Sequence, residues 1–392
     1  MKRLFTFTIF VFVVALLNAA NGYDVSFNQP SSDVYQLDFS LGDYNITEVN
    51  IAGENYSQIQ FEGSVFTQLK GFAELPFISA SLILDNKNVT LKVIEGEYEE
   101  YSLINPLVPS RGVIYRDQDP ASIPYEISPG SLRDNWYPQN LAKNSSPFII
   151  KDLRGTSVYV YPFRYNAVQN VLRVYKNITV QLIENETTPL NLLPVQASKI
   201  LREMDGIYNS LFVNYQQTKD DLTIGEYGDI LVICTERDEE AIQPYIDWKM
   251  EKGFNVSMEV VEVATNVKTN VQEAYDANNN LLYVQLVGDW PDIKCDLLSG
   301  YAPMDPQLGC VVGSDNVADI TIGRISSNSA ADVTIQIDKI IYYEKNPEMG
   351  GTWYKGALGI GSSEGPGDDN EIDKDHIQII YDNKLDPFTY DN

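Results

Sequence analysis

The feature that most constrains this chain is a change of hydrophobic period between residues 190 and 225. Upstream, apolar residues mostly alternate, as in Val171-Leu172-Arg173-Val174-Tyr175 and then Ile178, Val180 and Leu182, with Val158-Tyr159-Val160-Tyr161 before them. A turn is expected near Asn166 to Asn170, and further strands at Gln58 to Phe61, Ala80 to Leu84 and Val89 to Val93. This half reads as an antiparallel β domain. Downstream the periods alternate between strand and helix. Ile230-Leu231-Val232-Ile233 is a continuous apolar run, as a strand covered on both faces requires, and a helix is expected from Glu239 to Lys252. A strand at Asn255 to Val261, a helix at Val267 to Tyr275 and strands at Leu282 to Val287 and Ile320 to Ile322 follow. Ser329 should cap a helix that carries Val333, Ile337, Ile340, Ile341 and Glu344 at helical spacing. Repeated βαβ units with short connections imply a mostly parallel, three-layer sheet.

Between these halves, Ile200, Leu201, Met204, Ile207, Tyr208 and Leu211 suggest a helical connector, with Lys199, Arg202 and Lys219 along it. Those three bases are either solvated helix surface or part of a protease-cleavable linker. The division expected from sequence is therefore 1–22, 23–190, 191–225 and 226–392. The first of these reads as a secretory signal, with Lys2 and Arg3, an apolar Leu4 to Leu17, and Ala20-Asn21-Gly22 at its end. An extracellular or cell-surface destination follows.

Charge narrows the partners. Against 28 basic residues stand 55 acidic ones, and the net charge of −27 repels phosphate backbones and anionic lipid. Nucleic-acid and membrane-surface binding are set aside on that ground, and divalent cations or basic substrates are favoured. Three cysteines, Cys234, Cys295 and Cys310, are too few for a disulfide scaffold. Cys295 and Cys310 flank one irregular loop, so either they pair or all three are small buried thiols.

Two loops at strand ends carry candidate chemistry. The first joins Val287-Gly288-Asp289 to Gly309 through Arg324, with Asp315-Asn316-Val317-Ala318-Asp319 inside it. Alternation at Asp315, Val317 and Asp319 could aim two carboxylates and a carbonyl inward, with Asp289 arriving from a neighbouring strand, a donor set of the hard oxygens that calcium prefers. Turn formers and surface acids are the plainer reading. The second loop follows Ala357-Leu358-Gly359-Ile360-Gly361, expected as a buried strand, and runs Ser362-Ser363-Glu364-Gly365 to Glu371-Ile372-Asp373. No Gly-x-Gly-x-x-Gly or Walker pattern accompanies the βαβ units, which removes the main support for nucleotide binding.

Together with Tyr245-Ile246-Asp247-Trp248-Lys249 and Gln336-Ile337-Asp338-Lys339, these motifs resemble, in order and spacing, the gingipain family of secreted cysteine peptidases, whose catalytic domain is caspase-like. The resemblance covers about residues 226 to 392 in detail. The β-rich half, with Pro162-Phe163-Arg164-Tyr165-Asn166, resembles that family's propeptide more loosely.

The resemblance implies a structural calcium site formed by Asp289, Asp315 and Asp319 with backbone oxygens of Val312 and Val317. It places the acid that orients a catalytic histidine on Glu364, and an acid at the base of an arginine-specific pocket on Asp373, where a carboxylate suits a planar guanidinium. Acids there also suit a helix N-terminus. The family's histidine and cysteine lie on later strands. His376 matches neither position, so the chain is expected to be the propeptide and first part of a zymogen acting on protein or peptide substrates, inactive by itself, with its propeptide touching its catalytic portion. Two rivals remain: a secreted, calcium-stabilised binding or inhibitory module, and a hydrolase using Glu364 and Asp373 as paired carboxylates.

Overall fold

The computed structural model describes residues 22–115, 118, 122–195, 199–218, 223–300, 302–363 and 372–388. The expected signal segment lies outside them apart from Gly22. The chain forms two compact units that do not follow chain order. One comprises residues up to Ala80, Val89–Asn144 and Val158–Asn185; the other gathers Ser81–Asn88, Ser145–Ser157 and everything from Glu186 onward.

The first unit is antiparallel β, as the alternation requires. One sheet runs in the order Tyr23–Ser31, Val34–Leu41, Asn177–Asn185, Asn88–Glu95, and a three-stranded sheet joins Phe163–Asn166, Val171–Tyr175 and Tyr98–Ser102. The expected turn connects Asn166 to Val171, which are paired, and Asn170 takes a φ of 51° within it. Alternate residues of Val34–Leu41, namely Tyr35, Leu37, Phe39 and Leu41, are buried while their neighbours are not.

The second unit carries a parallel sheet in the order Val256–Val261, Asp229–Thr235, Leu281–Val287, Thr321–Ile325. Leu231, Ile233, Val284 and Leu286 pack on one face with Val271 of helix Lys268–Ala277 and Val267 just before it. On the other face Val232, Cys234 and Val287 meet Ile242 and Ile246 of helix Glu239–Glu251 and Val333 and Ile337 of helix Ala330–Lys345. Both faces of the central strand Asp229–Thr235 are covered, which is why Ile230 to Cys234 reads as a continuous apolar run. Ser329 caps helix Ala330–Lys345 as expected, its Oγ accepting the Asp332 N–H at 3.2 Å.

The connector is more deeply embedded than a solvated linker. Helix Arg202–Leu211 buries Met204 and Tyr208, and these pack with Phe212 and Tyr215 against Ile83, Leu153 and Leu282. The Arg202 guanidinium lies 5.2 Å from the Tyr227 ring, and Lys219 falls outside the described residues.

One strand expectation is corrected. Residues 357–361 are not a strand, and Leu358 and Ile360 are 88% and 84% exposed. An apolar run becomes a buried strand only when a neighbour takes its backbone groups, and among the described residues the parallel sheet ends at Thr321–Ile325. No helix among the described residues is long and apolar enough to cross a membrane.

Candidate functional site

Parallel strands deliver their carboxyl ends to one edge of the sheet, where ligands and catalytic groups collect. There the 281–287 strand turns at Gly288, whose φ of 127° disfavours any side chain and whose N–H reaches Ile325 O at 2.9 Å. Asp289 follows, its Oδ1 accepting Trp290 N–H at 2.8 Å and the Ser326 hydroxyl at 3.1 Å. At the end of the 229–235 strand, the fully buried Asp238 is paired two-pronged by Arg237, which also reaches Asp292 at 3.0 Å. Those bonds hold the guanidinium above its ordinary range despite burial. Arg324 forks onto Asp305 at 2.8 and 2.7 Å and donates to the carbonyls of Gly288 and Ile293. Its bonds hold the Asp305 carboxyl low against burial. Sequence reasoning missed both ion-pair systems. The available signal was an arginine inside the apolar strand Thr321–Ile325, which has to find a partner. These pairs brace the loops of a strand-end edge; they do not amount to a nucleophile and base.

The cysteines supply no activated thiol. All three are free, so the Cys295–Cys310 pairing is not formed. Burial, reinforced by Glu239 and Asp238, pushes Cys234 up to about 11, and burial also raises Cys295 and Cys310.

Glu364 lies outside the described residues. Asp373 is the first residue of helix Asp373–Ile380 and is exposed, where a carboxylate is favoured by the helix dipole. That helix starts against the end of the 357–361 run, because Lys374 N–H donates to Ser362 O at 3.0 Å. His376 sits one turn on, also exposed.

The first-loop acids fall on two different edges. Thr321 pairs with Tyr283, so Asp319 stands level with Leu281, whereas Asp289 lies beyond the far end of the same strand. At ~3.3 Å per residue they are about 25 Å apart along it. Asp315 and Asp319 do share a loop, but their oxygens hold N–H groups. Asp319 accepts from Val311, Val312 and Lys151 at 2.8, 2.7 and 2.8 Å, and Asp315 accepts from Ile149 at 2.8 Å and Val317 at 2.7 Å and from the Asn191 amide. Val312 and Val317 thus present N–H groups to the two carboxylates they were expected to join as carbonyl donors. Among the described residues no three His, Cys, Asp or Glu side chains gather as a metal site. The expected set, Asp289, Asp315 and Asp319 with Val312 and Val317, does not fit one calcium ion in this structure.

Two family models match the chain in succession: the C25 propeptide model over residues 23–222 and the model for peptidase family C25 over residues 224–391. The chain belongs to the gingipain family, peptidase family C25. Curated relatives include gingipain R2 of Porphyromonas gingivalis strain W83, 34% identical over 79% of this chain and 44% of that protein. Gingipain R1 of Porphyromonas gingivalis is 31% identical over 88% of this chain and 36% of its own length. A solved complex of the Porphyromonas gingivalis RgpB pro- and mature domains aligns at TM-score 0.45 and 27% identity, covering 49% of this chain and 97% of that one. The chain thus spans less than half the length of these two curated gingipains. The boundary between the two family models, near residue 223, falls within the second compact unit, so in this gingipain-family chain propeptide segments 81–88 and 145–157 are folded together with the peptidase portion.

Proposed function

We propose that this chain is the propeptide and front part of the catalytic domain of a secreted cysteine endopeptidase zymogen, with preference for arginine and no peptidase activity of its own. The observation that carries the reading is the uninterrupted succession of a propeptide match and a peptidase match within one chain. The raised thiols of Cys234, Cys295 and Cys310 favour inactivity, since a thiolate is the attacking species. Glu364 is assigned to orienting a catalytic histidine, and Asp373 to the guanidinium of the substrate. The net charge of −27 suits basic substrates.

The test is hydrolysis of fluorogenic peptides ending in arginine or lysine under reducing conditions. The purified chain should release no fluorophore above a buffer control. In the protein extended by its downstream coding sequence, Asp373→Asn should lower kcat/KM for arginine substrates by about 10- to 100-fold, the worth of a charged hydrogen-bonded pair, with lysine substrates less affected. Turnover by the present chain, or an unaltered preference in the variant, would refute the corresponding assignment. The rival binding-module reading predicts full stability of the chain and no activity in any extended form.

A further inference from the structure

Segment 145–157 belongs to the propeptide match yet lies inside the peptidase-bearing unit, and its chemistry is unusual. Strands Phe148–Ile150 and Leu153–Val160 pair as a hairpin, with Ile150 opposite Leu153 and a turn at Lys151 and Asp152. A lysine at such a turn normally extends into water. Lys151 is instead 2% exposed, and its backbone is left-handed, with φ 48°. Its ammonium donates to the carbonyls of Asn279 and Leu281, both at 2.8 Å, and lies 4.8 Å from the centre of the Tyr275 ring. Its N–H meets Asp319 at 2.8 Å, while that of Ile149 meets Asp315. Asp152 takes the Tyr208 hydroxyl at 3.0 Å. A buried ammonium needs every donor satisfied, and here two carbonyls and a ring face do so without a direct carboxylate partner. Leu281 begins the 281–287 strand and Asn279 lies in the turn before it, so this socket is on the edge opposite the strand ends.

We propose that the Asn279 and Leu281 carbonyls, roofed by Tyr275, form a socket for the lysine of a left-handed turn, and that this socket anchors the propeptide to the peptidase portion after the connection near residue 222 is cut. The inference rests on the propeptide reading but separates anchoring from blocking. Whatever covers the strand-end edge, the hold is at the other edge, and a single backbone cut leaves it in place.

The test replaces residues 219–222 with a site for a specific protease, cuts the purified chain, and measures co-elution and the affinity of the two parts. Wild-type parts should remain together. Lys151→Met, which removes the ammonium that both carbonyls accept from, should weaken their association by about 10- to 100-fold, and Lys143→Met, at an exposed lysine of the first unit, should not. Equal affinity for Lys151→Met and wild type overturns the socket alone, whereas wild-type parts that separate at once count against the propeptide reading itself. Should Lys151→Met fail to fold uncut, hydrogen exchange in the cut wild type decides. Ile149 and Lys151 amides that exchange last in the hairpin support the anchor, and amides that exchange before the rest of it overturn the anchor.

Discussion

The carboxylate of Asp319 accepts the backbone N–H of Lys151 at 2.8 Å across 168 positions of sequence, joining the peptidase loop to a propeptide turn. The same carboxylate holds Val311 and Val312, so one buried acid fixes the approach to the 321–325 strand and its docking hairpin together.

Asp319→Asn should therefore be costly although it changes one atom type. An amide presents N–H where the loop also presents N–H, and a hydrogen bond to a charged acceptor is worth about 1.5–3 kcal/mol. A loss of about 2–4 kcal/mol is expected in urea unfolding, read as a lower midpoint at unchanged slope. A variant within a few tenths of a kcal/mol of wild type would show that the carboxylate is not what orders the loop.

Calcium should leave this chain's thermal midpoint unchanged at millimolar concentration. The Asp315 and Asp319 oxygens already carry N–H partners, and Asp289 sits on the other edge, so an ion at either place would displace bonds before making its own. Differential scanning fluorimetry with and without a chelator checks this. A rise in midpoint that Asp319→Asn abolishes would restore the calcium site at this loop.

What the sequence made legible was whatever a local rule determines. The 229–235 and 281–287 strands announce themselves because both faces are covered, so Ile230 to Cys234 is uninterrupted and only Gln285 breaks the run from Leu281 to Val287. Ser329 is legible because its cap involves only the next three residues. Residues 357–361 misled for the opposite reason, since an apolar run says nothing about whether a partner strand lies beside it. The Lys151 turn was illegible because a lysine between two apolar stretches looks like a solvated hairpin tip, and its carbonyl partners lie 128 and 130 positions away. The shared edge of Asp315 and Asp319 was legible from spacing, whereas Asp289's distance from them depended on strand register, which no single loop encodes.

Native thiol chemistry should be silent. Cys234 and Cys295 are buried, Cys310 is half-buried, and burial raises the thiol pKa at each position. Ellman's reagent at pH 7.5 should label none of them within minutes and all three in denaturant. Rapid native labelling would contradict the raised pKa values, and a single reactive thiol in denaturant would mean that Cys295 and Cys310 had paired after all.

Acid unfolding should report on Glu344, which takes the Trp248 indole N–H at 2.8 Å and the ammoniums of Lys249 and Lys252 at 2.7 and 2.8 Å, tying helix Ala330–Lys345 to helix Glu239–Glu251. Burial alone would raise this carboxyl, but the three donors outweigh it and bring it down from 4.5 to about 2. A carboxyl with a depressed folded value binds fewer protons folded than unfolded between those two pH values. Its contribution is therefore complete above about pH 4.5 and disappears as pH falls through 2. The side chain is 23% exposed, so solvent screening limits the contribution to about 1–2 kcal/mol. Glu344→Gln should lose that amount at neutral pH and show a correspondingly shallower fall between pH 4.5 and 2 in chemical unfolding. Parallel stability-against-pH curves for variant and wild type would mean that the helix pair is held by Ile242, Ile246, Val333 and Ile337 packing alone.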